Sequence, residues 1–399
     1  MQSARGVVLV SLVTTAASLI AAGPLLVPAT GSPIRVLQAP GNVAIGDVNN
    51  DRRPDLVATS SSDRRVAVLL GRGDGGFALT AAGLMEVPDS PHEIAVADLN
   101  RDGNLDIALA SHESYNVVLL HGDGRGGFRP AANSPLAMKD GRQPHTHGLG
   151  IADFNADGNP DLVTVNSNDD NDVAVALGDG RGGFTRAAGS PFAVGPAPYP
   201  MALGDLDSDG RMDIVVTSTG LNRTASDASA PAERLTALFG DGRGGFKRSA
   251  IPVKTGRTWF AAFGDLNGDG KQDLVTTHTE DRLLSVFLGD GRGSFTERPE
   301  SPLDLGHKAW YVAVADLNHD RHADVVAAAE TGLRVMLGDG RGGFTPAPGS
   351  PFGTGKGTWR LALGDLNADG KVDVAASNLE SNSVAVLLGG FAEQASSRD

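Results

Sequence analysis

A fifteen-residue acidic segment occurs seven times in this chain, and this repetition constrains the fold more than any other feature. The first copy reads AIGDVNNDRRPDLVA (residues 44–58) and the third reads GIADFNADGNPDLVT (residues 150–164). Leading aspartates of successive copies lie 49 to 60 residues apart. A glycine-rich segment follows each copy, typically GDGRGGF and shortened to GGF after the last. Such a period is the signature of a repeat architecture.

Each repeat predicts four short strands. One apolar run leads into the acidic loop and another leaves it, as in IAVAD (94–98) and DIALA (106–110). A third run ends at the glycine-rich turn, and a fourth strand begins at the Phe of that turn. The 53 glycines argue against helices, because an interior glycine destabilises a helix. Seven such units predict an all-β protein, a seven-bladed β-propeller of four-stranded antiparallel blades.

The two ends of the repeat array complement each other. The linker AAGSPFAVG (187–195) resembles TGSPIRV (30–36), which has no repeat before it. The last repeat stops just after Phe391, before an outer strand of its own. We therefore predict that residues 33–38 complete blade seven, which closes the ring and removes open sheet edges. The propeller is expected over residues 30–391, with a disordered tail over 392–399.

The repeated loop, Asp-x-Asn-x-Asp-Gly-x-x-Asp, predicts a binding site for a hard cation. Oxygen-bearing side chains at positions 1, 3, 5 and 9 suit calcium, which takes about 6–8 oxygen ligands. An EF-hand is excluded because position 12 is never Glu and strands rather than helices flank the loop. The candidate ligands are Asp47, Asn49, Asp51, Asp55, Asp98, Asn100, Asp102, Asp106, Asp153, Asn155, Asp157, Asp161, Asp205, Asp207, Asp209, Asp213, Asp265, Asn267, Asp269, Asp273, Asp316, Asn318, Asp320, Asp324, Asp365, Asn367, Asp369 and Asp373.

The seven loops are not equivalent. Position 6 is Gly in five copies, where it allows a tight turn, but it is Arg52 in blade one and Arg321 in blade six. Asp207 gives blade four an additional carboxylate. We expect up to seven structural Ca²⁺ ions, bound most weakly in blades one and six. The formal net charge of −14 equals in magnitude the charge of seven divalent cations.

These repeats resemble the FG-GAP (VCBS-type) repeats of bacterial secreted proteins and of integrin α-subunit propellers, over about residues 33–391. In that family the nine-residue loop joins the two inner strands and holds Ca²⁺ at the bottom of the propeller, whereas ligands bind the opposite face. The resemblance therefore implies that Asp47, Asn49, Asp51, Asp55 and their equivalents bind calcium.

One position in each repeat collects the large aromatic residues. It lies six residues before the leading aspartate, and all three tryptophans of the chain occupy it. The fold places it at the start of the innermost strand, so its residues should surround one mouth of the central channel, opposite the calcium loops. Such a rim suits a sugar or a protein loop, and aromatic packing between blades is the alternative. The candidate ligand-binding residues are His92, His147, Tyr199, Trp259, Trp310, Trp359 and the adjacent Arg360.

Residues 1–29 have the pattern of a secretory signal peptide. Arg5 precedes an uncharged run over residues 6–22, and small residues between Ala22 and Ala29 provide cleavage sites. A retained membrane anchor is the alternative, because the apolar run could extend to Val27. Either reading predicts a secreted, periplasmic or cell-surface protein, which contacts a membrane only if this segment is retained.

Composition and motifs disfavour several functions. The absence of Cys excludes thiolate metal sites and cysteine nucleophiles. The acidic charge balance disfavours nucleic acid as a partner. The G-x-G-x-x-G sequence at residues 122–127 precedes a strand rather than a helix, so we expect no nucleotide.

Three functions stay open. The first, which we favour, is a binding or adhesion module for an extracellular carbohydrate or protein; fungal seven-bladed lectins with similar calcium loops bind sugars. The second is a sugar-active enzyme of the lyase or dehydratase type, with His92, His147, His278, Glu93 and Arg360 as an acid–base set. No motif fixes a nucleophile, a base and an orienting group, so no catalytic residue is assigned. The third is a purely structural assembly scaffold.

Overall fold

The computed structural model describes residues 23–167, 171–219, 234–254 and 257–390. These residues form seven antiparallel sheets, and among them there is no helix long and apolar enough to span a membrane. The prediction of an all-β, seven-bladed propeller is confirmed. Most of the predicted leader (residues 1–22), Phe391 and the tail over 392–399 lie outside the described residues.

The strands follow the repeat along the chain. Those of the N-terminal half are β1 (Leu26–Pro28), β2 (Ile34–Arg35), β3 (Asn42–Gly46), β4 (Asp55–Ser60), β5 (Arg65–Gly71), β6 (Phe77–Glu86), β7 (Pro91–Ala97), β8 (Asp106–Ser111), β9 (Asn116–Gly122), β10 (Phe128–Pro130), β11 (Leu136–Ala137), β12 (Thr146–Ala152), β13 (Asp161–Asn166), β14 (Asp172–Gly178), β15 (Phe184–Arg186) and β16 (Phe192–Ala193). Those of the C-terminal half are β17 (Pro198–Gly204), β18 (Asp213–Ser218), β19 (Leu235–Gly240), β20 (Phe246–Ile251), β21 (Ala261–Gly264), β22 (Asp273–His278), β23 (Leu283–Gly289), β24 (Phe295–Glu297), β25 (Leu303–Asp304), β26 (Ala309–Ala315), β27 (Asp324–Ala329), β28 (Gly332–Gly338), β29 (Phe344–Pro346), β30 (Thr358–Gly364), β31 (Asp373–Asn378) and β32 (Ser383–Gly389).

The core lies between the blades rather than inside any one of them. The second strand of every blade is buried along its whole length, as in β4 and β8. Val57 of blade one and Ile107 and Leu109 of blade two belong to one apolar cluster. Because each inner strand packs against a neighbouring blade on both faces, it carries apolar or small residues without the alternation of a half-exposed strand.

The outer strand is built in two halves. In blade two, β10 and β11 both pair with β9, and the linker between them contains Ser134. The Ser134 hydroxyl accepts a hydrogen bond from the Leu119 backbone N–H at 2.9 Å. Ser190, Ser301 and Ser350 make the equivalent contact in blades three, five and six. The serines of the Ser-Pro linkers therefore supply hydrogen bonds to the third strand between the two halves of the outer strand.

The N-terminus closes the ring, as predicted. Both β1 and β2 pair with β32 of blade seven, and the Ser32 hydroxyl accepts a hydrogen bond from the Val386 N–H at 2.8 Å. Pairing begins at Leu26, four residues before the boundary predicted at residue 30. The sequence LVPATGSP (26–33) matches FTPAPGSP (344–351), but Leu26 replaces the Phe that marks this strand elsewhere. The predicted leader thus overlaps the first strand, and cleavage before Leu25 would leave that strand intact.

We expect a chain that begins at Thr30 to be less stable than one that begins at Gly23. The shorter chain loses β1 and the side chains of Leu25 and Leu26, which are 6% and 3% exposed. Full burial of a leucine contributes about 1.5–3 kcal/mol, so the loss should amount to several kcal/mol. Thermal unfolding of both forms measures it, with Arg35→Ala as a control on the exposed end of the same strand pair. Equal melting temperatures would show that β1 does not close the ring.

Candidate functional site

The acidic loops connect the first and second strands of each blade and share one backbone shape. Positions 4 and 6 have positive φ angles in all seven loops. Arg52 (φ 67°) and Arg321 (φ 70°) adopt the same left-handed conformation as the glycines at position 6 of the other blades. These two arginines therefore do not change the loop geometry, but the conformation costs a non-glycine residue about 1–2 kcal/mol.

In each loop, acidic side chains accept hydrogen bonds from backbone N–H groups of the same loop. In blade two, the Asp98 carboxylate accepts hydrogen bonds from the N–H groups of Asp102 (3.1 Å) and Gly103 (2.9 Å). The Asn100 side-chain carbonyl also accepts one from Asp102 N–H at 2.9 Å, and the Asp102 carboxylate accepts one from Asn104 N–H. Oxygen atoms from positions 1, 3 and 5 are thereby held on one small loop.

The ninth-position aspartate has a separate role that sequence reasoning missed. Asp106 is fully buried, and its carboxylate accepts hydrogen bonds from Leu99 N–H (3.0 Å) and from Gly122 N–H (2.9 Å) at the glycine-rich turn. The other six blades repeat both contacts. Burial raises the pKa of Asp161 and Asp213 to about 6, which these amide contacts oppose. The residue thus ties each loop to its blade, and its part in calcium binding stays a prediction.

The loop of blade four fits a divalent cation best. Asp205, Asp207 and Asp209 offer oxygen atoms that all lie within 4.8 Å of one another. One carboxylate oxygen of Asp207 is buried without a hydrogen-bond partner among the described residues. Burial and the charges of Asp209 and Asp205 raise the pKa of Asp207. A cation at this position would supply the missing partner and relieve the repulsion between the carboxylates.

The predicted rim residues lie at the opposite end of the innermost strands, and in blades two, three, four, six and seven they lie in β-bulges. Strand pairing skips His92 in blade two, His147 in blade three and Trp310 in blade six. In blades four and seven, two residues of the innermost strand lie opposite one residue of its partner. A bulge re-aims a side chain and is frequent beside functional sites. Comparison of the repeats located these residues but gave no indication of the bulges.

Ring contacts join rim residues of neighbouring blades into two arcs. In the first arc, the ring centroids of His147 and Tyr199 are 4.3 Å apart, and those of Tyr199 and Trp259 are 4.9 Å apart. In the second arc, Trp310 and Trp359 lie at 5.7 Å with a tilt of 38°. Tyr199 and the three tryptophans are half-buried, whereas His147 is buried. The rings therefore pack on one another while parts of them stay open to solvent.

Blade one leaves a notch in the rim. Its equivalent residue is Gly41, and a Cβ atom built there would have no neighbour within 4 Å. Blade one lies between blades two and seven, so the notch separates Trp359 from His92. We call this opening at Gly41 the blade-one notch.

A cavity of about 310 Å³ fills the channel below the rim. Its polar lining includes Asn42, Glu93 and Tyr311. Arg360 donates to one oxygen of Glu93, and the Asn42 amide donates to the other at 2.9 Å. Burial raises the pKa of Glu93, and the Arg360 guanidinium opposes that rise.

Arg360 lies inside the channel rather than on the open rim. It is 3% exposed, and its guanidinium carbon lies 4.2 Å from the Phe260 ring centroid and 5.4 Å from that of Tyr311. Two of its nitrogens, Nε and Nη1, are buried without a hydrogen-bond partner among the described residues. Together with Glu93 it connects the innermost strands of blades two, five, six and seven.

Several neighbours of the rim were missed by sequence reasoning. His112 follows β8 and stacks on His92, whereas His145 precedes β12 and contacts His147 edge-on. The spacing His145-x-His147 was the only sequence signal for this grouping. His278 is fully buried and contacts Ser285 at 2.8 Å, so it does not join the rim.

This fold and its repeated acidic loops define a repeat propeller, and comparison with known proteins identifies the family. The model of the FG-GAP-like repeat matches residues 47–109, 98–164, 153–216, 265–327 and 316–376. The chain therefore belongs to the FG-GAP-like repeat family. It is also similar to cartilage acidic protein 1 of Homo sapiens and of Mus musculus, each 28% identical over 193 residues. That match covers 46% of this chain and only 28% of either relative.

Solved structures share the fold at low sequence identity. An Agrocybe aegerita lectin that recognises non-reducing terminal N-acetylglucosamine is 20% identical, with a TM-score of 0.54 over 78% of this chain and 80% of the lectin chain. BBS1N in complex with ARL6DN is 12% identical, with a TM-score of 0.61 over 92% and 97% of the two chains. Streptogramin B lyase is 12% identical, with a TM-score of 0.56 over 90% and 97%. A binding protein and an enzyme are both among them, so these likenesses establish the architecture alone.

Proposed function

We propose that this chain is an exported, calcium-stabilised propeller that binds carbohydrate at its aromatic rim. The observation that carries the proposal is the second arc, in which half-buried Trp310 and Trp359 lie beside the open blade-one notch. Aromatic faces with polar groups nearby suit the apolar and hydroxyl faces of a sugar ring. The fold relationship to a lectin that recognises a terminal sugar agrees with this proposal.

The notch gives the ligand a defined place. A sugar stacked on Trp359 would extend over Gly41 toward His92, above the channel cavity. The calcium loops at the far end of the same strands would hold the seven blades in register and take no direct part in binding.

The arrangement supports binding over catalysis. Glu93 is engaged by both Arg360 and Asn42, and the rim histidines contact one another's rings. Among the described rim residues no imidazole lies within hydrogen-bond distance of a carboxylate, which is the pairing that acid–base catalysis of the lyase or dehydratase type would use. A protein loop is the alternative ligand for the same rim.

A glycan-array screen of residues 23–399 in calcium buffer tests the proposal. We expect a restricted set of glycans to bind, and Trp310→Ala to lower the affinity about fivefold or more, because loss of an aromatic stacking contact costs on the order of 1 kcal/mol. Gly41→Trp should abolish binding by filling the blade-one notch. This second variant adds a side chain at an open position and leaves the core intact.

Leu84→Ala provides the matched control. Leu84 is 40% exposed on the outer strand β6, remote from the rim, so its truncation should leave glycan binding unchanged. No bound glycan, or equal binding by the wild type and Gly41→Trp, would refute carbohydrate recognition at the rim and favour a protein ligand.

A further inference from the structure

The cavity below the rim is bounded by one layer of residues to which every blade contributes. In each repeat the residue directly after the rim position, five before the leading aspartate, belongs to this channel layer. The layer consists of Asn42, Glu93, Gly148, Pro200, Phe260, Tyr311 and Arg360. Six of the seven line the cavity, and the Arg360 guanidinium lies against three of those six, Glu93, Phe260 and Tyr311.

The channel layer has a polar side and an apolar side. Its polar members, Asn42, Glu93, Tyr311 and Arg360, come from blades one, two, six and seven, which are neighbours in the ring. Blades three, four and five contribute only glycine, proline and phenylalanine. The hydrogen-bonding side chains are therefore gathered on one side of the channel.

The Arg360 guanidinium carries more donors than the protein satisfies. Its Nη2 atom donates to Glu93, whereas Nε and Nη1, which bear three of the five N–H bonds, are buried and unpaired in the part of the chain that the structure describes. The side chain is only 4% exposed, and buried donors are nearly always paired. Because the guanidinium lies against three walls of the cavity, the cavity is where an acceptor for these N–H groups can sit.

The cavity presents acceptors as well as donors. Each oxygen of Glu93 accepts one hydrogen bond, from Arg360 or from Asn42, and keeps the capacity for another. The Tyr311 hydroxyl can donate and accept, and it has no hydrogen-bond partner among the described residues. Within the described sheets the innermost strand of each blade pairs on one side only, so backbone N–H and C=O groups of its other edge face the channel.

Charge and size restrict what the cavity can hold. Arg360 and Glu93 compensate each other, and every other residue that lines the cavity is uncharged. An added anion would lie uncompensated beside the Glu93 carboxylate, whereas hydroxyl groups accept from Arg360 and donate to Glu93 without adding charge. The volume of about 310 Å³ lies at the lower end of the range of small-molecule pockets, about 300–1,000 Å³.

We propose that the channel cavity binds a small neutral polyhydroxyl compound, either a monosaccharide or a linear polyol, at a site separate from the aromatic rim. Its hydroxyl groups accept hydrogen bonds from Arg360 and Tyr311 and donate to Glu93. Its carbon skeleton lies toward Pro200 and Phe260 on the apolar side of the channel layer. The site does not depend on glycan binding at the rim, because its residues lie one layer deeper in the channel.

Saturation-transfer NMR titration of the purified protein in Ca²⁺ buffer tests the proposal. The neutral probes are glycerol, xylitol and glucose, and the anionic probes are glycerate and glucuronate, the carboxylate counterparts of glycerol and glucose. We expect at least one neutral probe to bind saturably, and glycerate and glucuronate to bind more weakly than their neutral counterparts. The relative affinities of glucose and of the linear polyols distinguish the two kinds of ligand.

Tyr311→Phe is the most informative variant. It keeps the ring against Phe260 and Arg360 and removes only the unpaired hydroxyl, so its melting temperature should stay close to that of the wild type. Its affinity for the bound probe should fall about two- to tenfold, the loss expected for one hydrogen bond. Tyr115→Phe is the matched control, since the Tyr115 hydroxyl donates to the Gln143 carbonyl outside the channel layer, and it should bind as the wild type does.

Arg360→Lys is a second variant that keeps the positive charge opposite Glu93. It replaces a planar group with five N–H donors by a single ammonium, so it should also weaken probe binding. Absence of saturable binding by every neutral probe, or equal affinity in the wild type, Tyr311→Phe and Arg360→Lys, would overturn the proposal. Tighter binding of glycerate or glucuronate than of the neutral counterpart would overturn it as well.

The channel proposal and the rim proposal can fail separately. Probe binding that is lost in Trp310→Ala but unchanged in Tyr311→Phe would place the probe on the rim and contradict a channel site. The rim proposal, by contrast, is decided by glycans on the array and by Gly41→Trp.

Discussion

Addition of EGTA should lower the melting temperature of the propeller by about 20 °C or more, because bound calcium stabilises the folded state alone. A site held at 100 times its Kd contributes about 2.7 kcal/mol, and the chain carries seven candidate loops. Removing the ions would also leave carboxylates such as Asp205, Asp207 and Asp209 in mutual repulsion. Differential scanning calorimetry in Ca²⁺ and in EGTA measures the effect, and Mg²⁺ should restore little of it.

Individual loops should differ in the way that their sequences indicate. Asp209→Asn in blade four should lower the melting temperature in Ca²⁺ more than the equivalent Asp51→Asn in blade one, where Arg52 occupies the turn. Glu380→Gln is the control, since Glu380 is an exposed carboxylate outside the loops. A melting temperature that is unchanged by EGTA, with no calcium bound to the purified protein, would contradict the assignment of these loops.

Replacing either partner of the buried Glu93–Arg360 pair should destabilise the propeller by about 3–5 kcal/mol, because it leaves the other charge uncompensated in the channel. Arg360→Met and Glu93→Leu are the two single variants. The double variant should lose much less stability than the sum of the two, since an apolar pair can fill the same volume. Denaturant unfolding of the four proteins gives the coupling energy.

The exposed pair of Arg186 and Asp140 provides a contrast to this cycle. Its side chains are 40% and 92% exposed, so Asp140→Asn should leave the unfolding midpoint unchanged within error.

For the buried pair, additive effects of Arg360→Met and Glu93→Leu on the free energy of unfolding would show that the two residues do not act as a pair. The conclusion that the Glu93–Arg360 ion pair links the blades inside the channel would then be wrong.

The repeat made most of the architecture predictable. Seven copies of one loop and one glycine-rich turn determined the number of blades, the strand order and the closure by the N-terminal segment. The outer strand at Leu26 was missed because the residue that marks it elsewhere, Phe, is replaced there by Leu. A periodic pattern predicts what each unit shares and is weakest where one unit departs from it.

The site was predictable only in part, for a related reason. Comparing equivalent positions located Trp310 and the other rim residues, but it gave no information on the direction of their side chains, which depends on the bulges. Arg360 was placed on the rim by sequence proximity, whereas it bridges four blades inside the channel. The grouping of His112 with His92 arises from packing across strands, which no local pattern encodes.

The most direct measurement of carbohydrate recognition is the indole region of the ¹H–¹⁵N spectrum during a titration with the glycans that bind on the array. The chain has three tryptophans and all three lie at the rim position, so every indole N–H signal reports on the proposed site. We predict that saturating glycan shifts the signals of Trp310 and Trp359, and that Gly41→Trp abolishes these shifts. Bound glycan that leaves all three indole signals unchanged would contradict the proposal.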